Sequence, residues 1–257
     1  MKYAIMSDVH ANPTALETAL ADARALGCEK FVLLGDITGY GYDAPQALRL
    51  SRERFDIVLL GNHDSACLGM ENRPSDLMNP NYDLDRRQRD QLTADELKWL
   101  KTRRPVRVAD GMAFTHGDFT SPKAWNYIYE PGAAAVNFSA RREKLLFCGH
   151  THHAEVWGVS KDRVVSRPSD GRIEGPPAKP ELVEFKREKG ARYLVNVGSV
   201  GYPRSDFCVT YAICDPSTDT FALRRLPFDF GAYFKAMLDH GVDPPGWLFY
   251  LLTALRG

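Results

Sequence analysis

The chain has 257 residues, enough for one large domain with a real core or at most two small ones. Hydrophobic residues make up 44% and charged residues 26%, ordinary for a soluble globular protein, and Lys plus Arg equals Asp plus Glu at 33 each. That balance implies no general electrostatic attraction to nucleic acid or anionic membrane, and leaves room for a local basic patch. No apolar run approaches the roughly 20 residues of a membrane span, and the most apolar late stretch, Trp247 to Leu255, is too short. The five cysteines (Cys28, Cys67, Cys148, Cys208, Cys214) contain no Cys-x-x-Cys, and Met1 to Met6 runs straight toward Asp8 without an export signal. The expectation is reduced, mostly buried thiols in a cytoplasmic protein, with Cys67 and Cys148 as small apolar fillers.

In chain order, Tyr3 to Ser7 reads as a first strand. Asn12-Pro13 opens a helix, Asn as cap and Pro at the first helical position, with the stripe Leu16, Ala19, Leu20, Ala23 and Leu26 and a stop at Gly27. Phe31 to Leu34 is continuously apolar and so a strand buried on both faces. A second helix runs from about Asp43 and Pro45 to Arg54, and Ile57 to Leu60 is a third strand. This βαβαβ opening predicts a parallel or mixed sheet covered by helices.

Residues 65 to 104 are polar and read as a helical excursion of two or three helices. Thr93-Ala94-Asp95-Glu96 is a capping box, and the charges, including Arg86, Arg87 and Arg89, read as a solvated face. Val106 to Ala109 and Met112 to Thr115 flank Asp110-Gly111 as a hairpin. Residues 122 to 144 read as irregular and partly helical. Leu145 to Cys148 is another buried strand, and Glu155 to Val159 with Arg163 to Arg167 is a second hairpin. Pro168 to Pro180 is Pro-rich and predicted to be a mobile loop. Strands follow at 182–186, 193–197, 208–214 and 221–226, then helices at 232–238 and 247–255. No repeat or linker divides the chain, so one domain over 1–257 is expected, the excursion included.

The chemistry lies at the strand ends. Asp8, His10, Asp36, Asn62, His116, His150 and His152 each follow an apolar run, and ligands collect where strand ends meet in such sheets. Carboxylate, imidazole and amide oxygen suit hard and borderline divalent ions. One histidine at a strand end is an ordinary structural feature. Five of the seven (His10, His63, His116, His150, His152) are not readily produced by chance. Seven ligand-type side chains exceed a four-coordinate structural zinc, and one bridging carboxylate would hold two ions about 3.5–4 Å apart. Asp36, in the middle of the three opening strands, is the natural bridge. Glycines 35, 61 and 149 precede ligands and allow close approach of the chain to ions and substrate.

Asp8-x-His10, Gly35-Asp36-x-x-Gly39, Gly61-Asn62-His63-Asp64, His116 and Gly149-His150-x-His152 together resemble, in order and spacing, the motif set of the calcineurin-like metallophosphoesterases. The resemblance spans about residues 3 to 215. Ser7 to Asn12, Gly39-Tyr40-Gly41 and Asn196 to Gly201 further resemble small prokaryotic members. It implies an α/β fold of two mixed β-sheets packed as a sandwich flanked by helices, in four layers α-β-β-α. It implies that Asp8, His10 and His152 bind one ion, that Asn62, His116 and His150 bind a second, and that Asp36 bridges beside a bridging hydroxide that attacks phosphorus in line. His63 would face the substrate, with Asp64 orienting its ring. Mn, Fe, Zn and Ni all suit such a site. The implied substrate is a phosphomonoester or phosphodiester, with nucleotides and phosphoproteins both open. A protein serine/threonine phosphatase is the alternative, and a non-catalytic scaffold is disfavoured because no ligand is missing.

The segment after His116 departs from the Gly-Ser-Pro of many relatives, reading Gly117-Asp118-Phe119-Thr120-Ser121-Pro122. Asp118 fits a surface or capping role better than a further site carboxylate. Arg204, after a Gly-rich turn, has the fork that suits a phosphate, and Asn12 could donate to one although helix capping already explains it. Tyr40 and Tyr42 fit rim packing better than stacking on a base.

Overall fold

A computed structural model describes residues 1–70, 82–160, 163–166, 176–204 and 207–243. Twelve strands among them form two six-stranded sheets. The first sheet has the order β3-β2-β1-β11-β12-β9, and the second β4-β5-β6-β10-β7-β8. The strands are β1 (Tyr3–Met6), β2 (Lys30–Leu33), β3 (Ile57–Val58), β4 (Val106–Ala109), β5 (Met112–Thr115), β6 (Leu145–Cys148), β7 (Ala154–Ser160), β8 (Arg163–Ser166), β9 (Glu181–Lys186), β10 (Arg192–Val197), β11 (Cys208–Cys214) and β12 (Thr220–Pro227). β1, β2 and β3 run parallel, whereas β11 joins β1 antiparallel. In the second sheet β5, β6 and β10 are parallel, and β4 and β7 are antiparallel to their neighbours. Both sheets are therefore mixed, and late strands complete each of them.

Side-chain alternation along the strands produces the layers. Tyr3 and Ile5 of β1, with Ala212 and Cys214 of β11, point into a cluster shared with Phe114, Phe147, Val195 and Val197 of the other sheet. Ala4, Met6, Val209, Tyr211 and Ile213 point the opposite way and meet helices α1 (Pro13–Ala25), α2 (Ala44–Arg54) and the late helix Phe230–Asp239. On the far side Ala113, Leu146, Cys148 and Leu194 meet Ala134 and Phe138 of the helix Pro131–Ala140. The result is the expected four-layer α-β-β-α sandwich. All five cysteines are free and buried, Cys67 and Cys148 among them. No helix among the described residues is long and apolar enough to cross a membrane.

Local sequence rules account for most helix ends. Asn12 Oδ1 accepts from Ala15 N at 3.0 Å and Asp43 Oδ1 from Gln46 N at 3.0 Å, each just ahead of a first-turn proline. The excursion holds α3 (Asn62–Cys67), α4 (Asp83–Arg89) and α5 (Ala94–Lys101), after which α6 is Pro131–Ala140 and α7 is Phe230–Asp239. The Thr93–Glu96 capping box opens α5, with Glu96 N to Thr93 Oγ1 at 3.2 Å and Thr93 N to Glu96 Oε2 at 2.8 Å.

One expectation needs correction. The third strand, expected over Ile57 to Leu60, is in ladder register with β2 only over Ile57–Val58, while Leu59 forms an isolated bridge to Arg104 and Leu60 N donates to the Arg104 carbonyl at 3.0 Å. Gly61-Asn62-His63-Asp64 then begins α3, with Gly61 as its N-cap. Most of the Pro-rich stretch (168–175 of 168–180) and the expected helix at 247–255 lie outside the described residues, as does 71–81 of the excursion.

Asp22 ties α1 to the first sheet. Its carboxylate takes a bidentate pair from Arg224 Nε and Nη2 at 2.8 and 2.7 Å and the Tyr211 hydroxyl at 2.6 Å. Burial raises the Asp22 pKa, but the Arg224 and Tyr211 hydrogen bonds outweigh it and hold the group below 3.8. A depressed folded-state pKa stabilises above the unfolded value and is lost as pH falls through the folded one. Asp22→Ala should therefore cost about 2–3 kcal/mol in urea unfolding at pH 7. The deficit should shrink as pH falls below about 4, and a pH-independent deficit would refute the assignment.

Candidate metal centre

β1, β2, β3, β5 and β6 end on one side of the sandwich. Just beyond those ends lie Asp8, His10, Asp36, Asn62, His116, His150 and His152, none more than 5% exposed. They converge into two nests. In one, His152 Nε2 is 3.1 Å from His10 Nε2 and 3.3 Å from Asp8 Oδ1, and His10 Nε2 lies 3.7 Å from both Asp8 Oδ1 and Asp36 Oδ2. In the other, His116 Nε2 lies 3.0 Å from Asn62 Oδ1, 3.2 Å from His150 Nδ1 and 3.2 Å from Asp36 Oδ2. Asp36 Oδ2 belongs to both.

Backbone groups orient almost every one of these atoms. His10 Nδ1 donates to Thr38 O at 2.9 Å and His152 Nδ1 to Tyr202 O at 2.5 Å, so each presents an Nε2 lone pair to its nest. His150 is reversed, since its Nε2 donates to Trp125 O at 2.8 Å and Nδ1 faces inward. Asn62 Nδ2 donates to the Tyr82 hydroxyl at 3.2 Å, which turns Oδ1 inward. Asp8 Oδ2 accepts from His150 N at 3.1 Å, and Asp36 Oδ1 from His63 N at 2.9 Å. His116 is the exception, because its Nδ1 has no hydrogen-bond partner among the described residues.

The other two carboxylate oxygens, Asp8 Oδ1 and Asp36 Oδ2, are buried and have no hydrogen-bond partner among the described residues. A buried, unpartnered carboxylate oxygen costs several kcal/mol unless a cation meets it. Around both oxygens the neighbours are imidazole nitrogens and an amide oxygen, the donor set of a divalent metal. The residues present therefore fit metal ions. Burial pushes His10 and His152 well below the usual imidazole range and His150 down to about 3, favouring neutral rings with lone pairs to offer. Burial also depresses His116, but the adjacent Asp36 charge outweighs it and lifts that ring to about 9. A proton on His116 and a cation in its nest would thus be alternative ways to balance Asp36.

The backbone is strained to reach this arrangement. Asp8, His10, Asp36, His150 and His152 have φ of 57°, 48°, 54°, 69° and 62°, in the left-handed region that costs non-glycine residues about 1 kcal/mol or more. Asp64 helps hold it. Its Oδ2 accepts from Asp36 N at 2.9 Å and Gly61 N at 3.0 Å, and its Oδ1 accepts from Ile37 N at 2.9 Å and Thr38 N at 3.2 Å. The glycines make room for the carboxylates themselves. A Cβ on Gly149 would stand 2.6 Å from Asp8 Oδ2, and one on Gly61 2.8 Å from Asp36 Cγ.

Several expected roles shift. Asp64 does not orient His63, because its oxygens are turned to the backbone of residues 36–38 and 61. The carboxylate at the His63 ring is Asp85 of α4, with Oδ2 2.7 Å from His63 Nδ1 and no exposure. Burial lowers the His63 pKa, but Asp85 and then Asp36 outweigh it and raise the ring above its usual value. Burial raises Asp85 too, yet the short contact favours the ion pair. Asn12 is unavailable to a substrate, since its oxygen caps α1 and its Nδ2 donates to Gly201 O at 3.1 Å. Arg204 is exposed at the rim, 3.4 Å from the Tyr40 hydroxyl. Tyr40 stacks on Tyr202 and Tyr42 on His240, as rim packing requires. Asp118 Oδ1 accepts from Thr120 N at 2.7 Å and Ser121 N at 2.8 Å, the expected capping role.

The excursion is more than a solvated face. Tyr82, Asp85 and Gln88 recur every three residues and turn inward, to Asn62, to His63 and to the Gly39 amide (2.8 Å) respectively. Arg86 pairs with Asp83 at 2.8 Å and Arg89 donates to Leu68 O at 3.1 Å. Buried polar residues at helical spacing between arginines were the signal available in the sequence.

A sandwich of mixed sheets carrying such an acid–imidazole centre at its strand ends places the chain among the metallophosphoesterases. It belongs to the calcineurin-like phosphoesterase superfamily, whose domain matches residues 1–219. It is 30% identical to a metallophosphoesterase from Sphaerobacter thermophilus, whose crystal structure matches with a TM-score of 0.75 over 94% of this chain and 95% of that one. It is also 27% identical over 253 residues to an uncharacterized protein of Methanocaldococcus jannaschii, covering 95% of this chain and 94% of that protein. Because Tyr82 holds the Asn62 amide nitrogen, Tyr82→Phe should weaken metal binding about tenfold while leaving thermal unfolding of the metal-free protein within a few degrees. Unchanged affinity in a metal titration would show that Asn62 needs no such support.

Proposed function

We propose that the protein is a two-metal phosphoester hydrolase. The observation that carries this reading is the pair of buried, unpartnered oxygens, Asp8 Oδ1 and Asp36 Oδ2, each ringed by imidazole nitrogens. Asp8, His10 and His152 would hold one ion and Asn62, His116 and His150 the other, with Asp36 between them. The same side chains form clusters able to hold a metal, grouped as Asp8-His10-His152 and Asp36-His116-His150. Divalent ions there would make water acidic enough to attack at neutral pH and would neutralise charge at phosphorus. Mn, Fe, Zn and Ni fit this nitrogen–oxygen set equally.

The chain supplies the remaining chemistry. Hydrolysis forms a bond from water oxygen to phosphorus and breaks the bond to the leaving alcohol, whose oxygen needs a proton. Asp85 binds His63 Nδ1 and favours the charged ring, so Nε2 is the atom left to donate that proton. His63 also stands within ligand reach of His10 and Asp36, but with Nδ1 committed to Asp85 only one nitrogen could serve a metal. We assign that nitrogen to the substrate, and Asp64 to holding the Asp36 and Gly61 loops together. Arg204 faces a phosphoryl oxygen from the rim. The complete ligand set supports turnover over a scaffold role.

Chelation should abolish hydrolysis of bis(p-nitrophenyl) phosphate and added Mn²⁺ should restore it. Full activity after complete metal removal would overturn the reading. Asp36→Asn should lower both metal content and turnover. His63→Ala should retain both ions and lower kcat by about 10²–10⁴. Loss of an ion instead would make His63 a ligand. Asp85→Asn should lower kcat by about 10- to 100-fold and shift the pH–rate profile, because the ring loses the charge that favours its protonated form. An unshifted profile would reduce Asp85 to a structural role.

A further inference from the structure

Tyr40 stands between the buried centre and its mouth. Its ring lies 4.6 Å from that of His10 and 4.5 Å from that of His63, and it stacks on Tyr202 at 4.4 Å and 14°. Those contacts occupy the ring, and a phenylalanine would make them equally well. The hydroxyl is the part they leave unexplained. Arg204 Nη2 donates to its oxygen at 3.4 Å, and no acceptor for its proton lies among the described residues.

The placement of Tyr40 is built and strained. Its φ is 51°, in the left-handed region, a strain it shares with five ligand-type residues of the centre. Gln88 of α4 clamps the residues on either side, since its Oε1 accepts from Gly39 N and its Nε2 donates to Gly41 O, both at 2.8 Å. Tyr40 and Arg204 are also tied to one nest through the backbone. Thr38, two residues before Tyr40, lends its carbonyl to His10 Nδ1. Tyr202, two residues before Arg204, lends its carbonyl to His152 Nδ1. The hydroxyl and the guanidinium therefore meet beside the Asp8-His10-His152 nest, next to the ring of His63.

The terminal oxygens of the substrate decide what such a pair can do. A phosphodiester has two and a phosphomonoester three, and charge spreads over all three as a monoester reacts. Two ions can meet one terminal oxygen each. The third oxygen of a monoester then needs donors from the chain, and a guanidinium with a phenol hydroxyl supplies them. In a diester an uncharged alkoxy group stands at that position and offers the pair far less.

We propose that the Tyr40 hydroxyl and Arg204 clamp the third terminal oxygen of a phosphomonoester, so that Tyr40 sets a preference for monoesters over diesters at this centre. The inference rests on the phosphoesterase reading and narrows its substrate class.

p-Nitrophenyl phosphate and methyl p-nitrophenyl phosphate share a leaving group and differ by one terminal oxygen. With the Mn²⁺-loaded protein, the ratio of kcat/KM for the monoester over the diester should fall about tenfold in Tyr40→Phe, which keeps the ring, and in Arg204→Gln. A purely structural role for Tyr40 would lower both values and leave their ratio. Calorimetry supplies a readout without turnover. Phenylphosphonate, with three terminal oxygens, should bind more tightly than its monomethyl ester, and Tyr40→Phe should cut that preference about tenfold. An unmoved ratio with an unmoved binding preference would overturn the clamp and leave the phosphoesterase reading standing. Cleavage of neither ester, with the phenylphosphonate preference present and cut by Tyr40→Phe, would overturn the phosphoesterase reading and leave the clamp standing.

Discussion

A carboxylate oxygen buried without a partner is among the most expensive things a fold can contain, and this protein contains two within one cluster. Among the described residues Asp8 Oδ1 and Asp36 Oδ2 have no hydrogen-bond donor, although the opposite oxygen of each carboxylate is held by a backbone amide. The arrangement is coherent only as a receptor for positive charge. Nearly every other feature of the centre keeps those oxygens aimed. Left-handed backbone at five of the seven ligand-type residues turns their side chains inward, and carbonyls at Thr38, Trp125 and Tyr202 fix three imidazoles so that the free nitrogen faces a nest. The sandwich supplies the rigidity that lets such strain persist.

Topology gathers these groups. β1 lies between β2 and β11 in one sheet, and β6 lies between β5 and β10 in the other. Parallel pairing brings the ends of β1, β2 and β3 to one edge and those of β5 and β6 to the facing edge. The inter-sheet core, with Ile5, Phe114, Phe147 and Val195, then presses the two edges together. Residues as far apart in sequence as Asp8 and His150 become hydrogen-bond partners.

The excursion belongs to the centre. α4 brings Asp85 to His63 and a buried amide side chain to the Gly39 loop, and Tyr82 ahead of it steadies Asn62. Glycine at position 39 leaves the space. A Cβ there would stand 2.9 Å from Asp85 Oδ1. The histidine proposed to meet substrate is thus oriented from a helix the sequence read as solvated, and the neighbouring Asp64 organises backbone instead.

The sequence by itself was sufficient for the local and the periodic. Apolar runs located most of the strands, Asn12-Pro13, Asp43 and Thr93–Glu96 marked helix starts, and motif order identified the family and the residues that come to share the two nests. Those features are encoded within a few residues, where capping, burial and spacing act directly. Tertiary structure alone decided which carboxylate meets His63, that Asn12 is consumed by Gly201, and that His150 presents Nδ1 while His10 and His152 present Nε2. Each of those outcomes depends on a backbone atom or side chain brought from a distant segment, and neither propensity nor spacing records which distant donor will arrive. The short helix at Asn62 was hidden for the same reason, since it is nucleated by Asp64 binding the Asp36 and Gly61 amides across two loops.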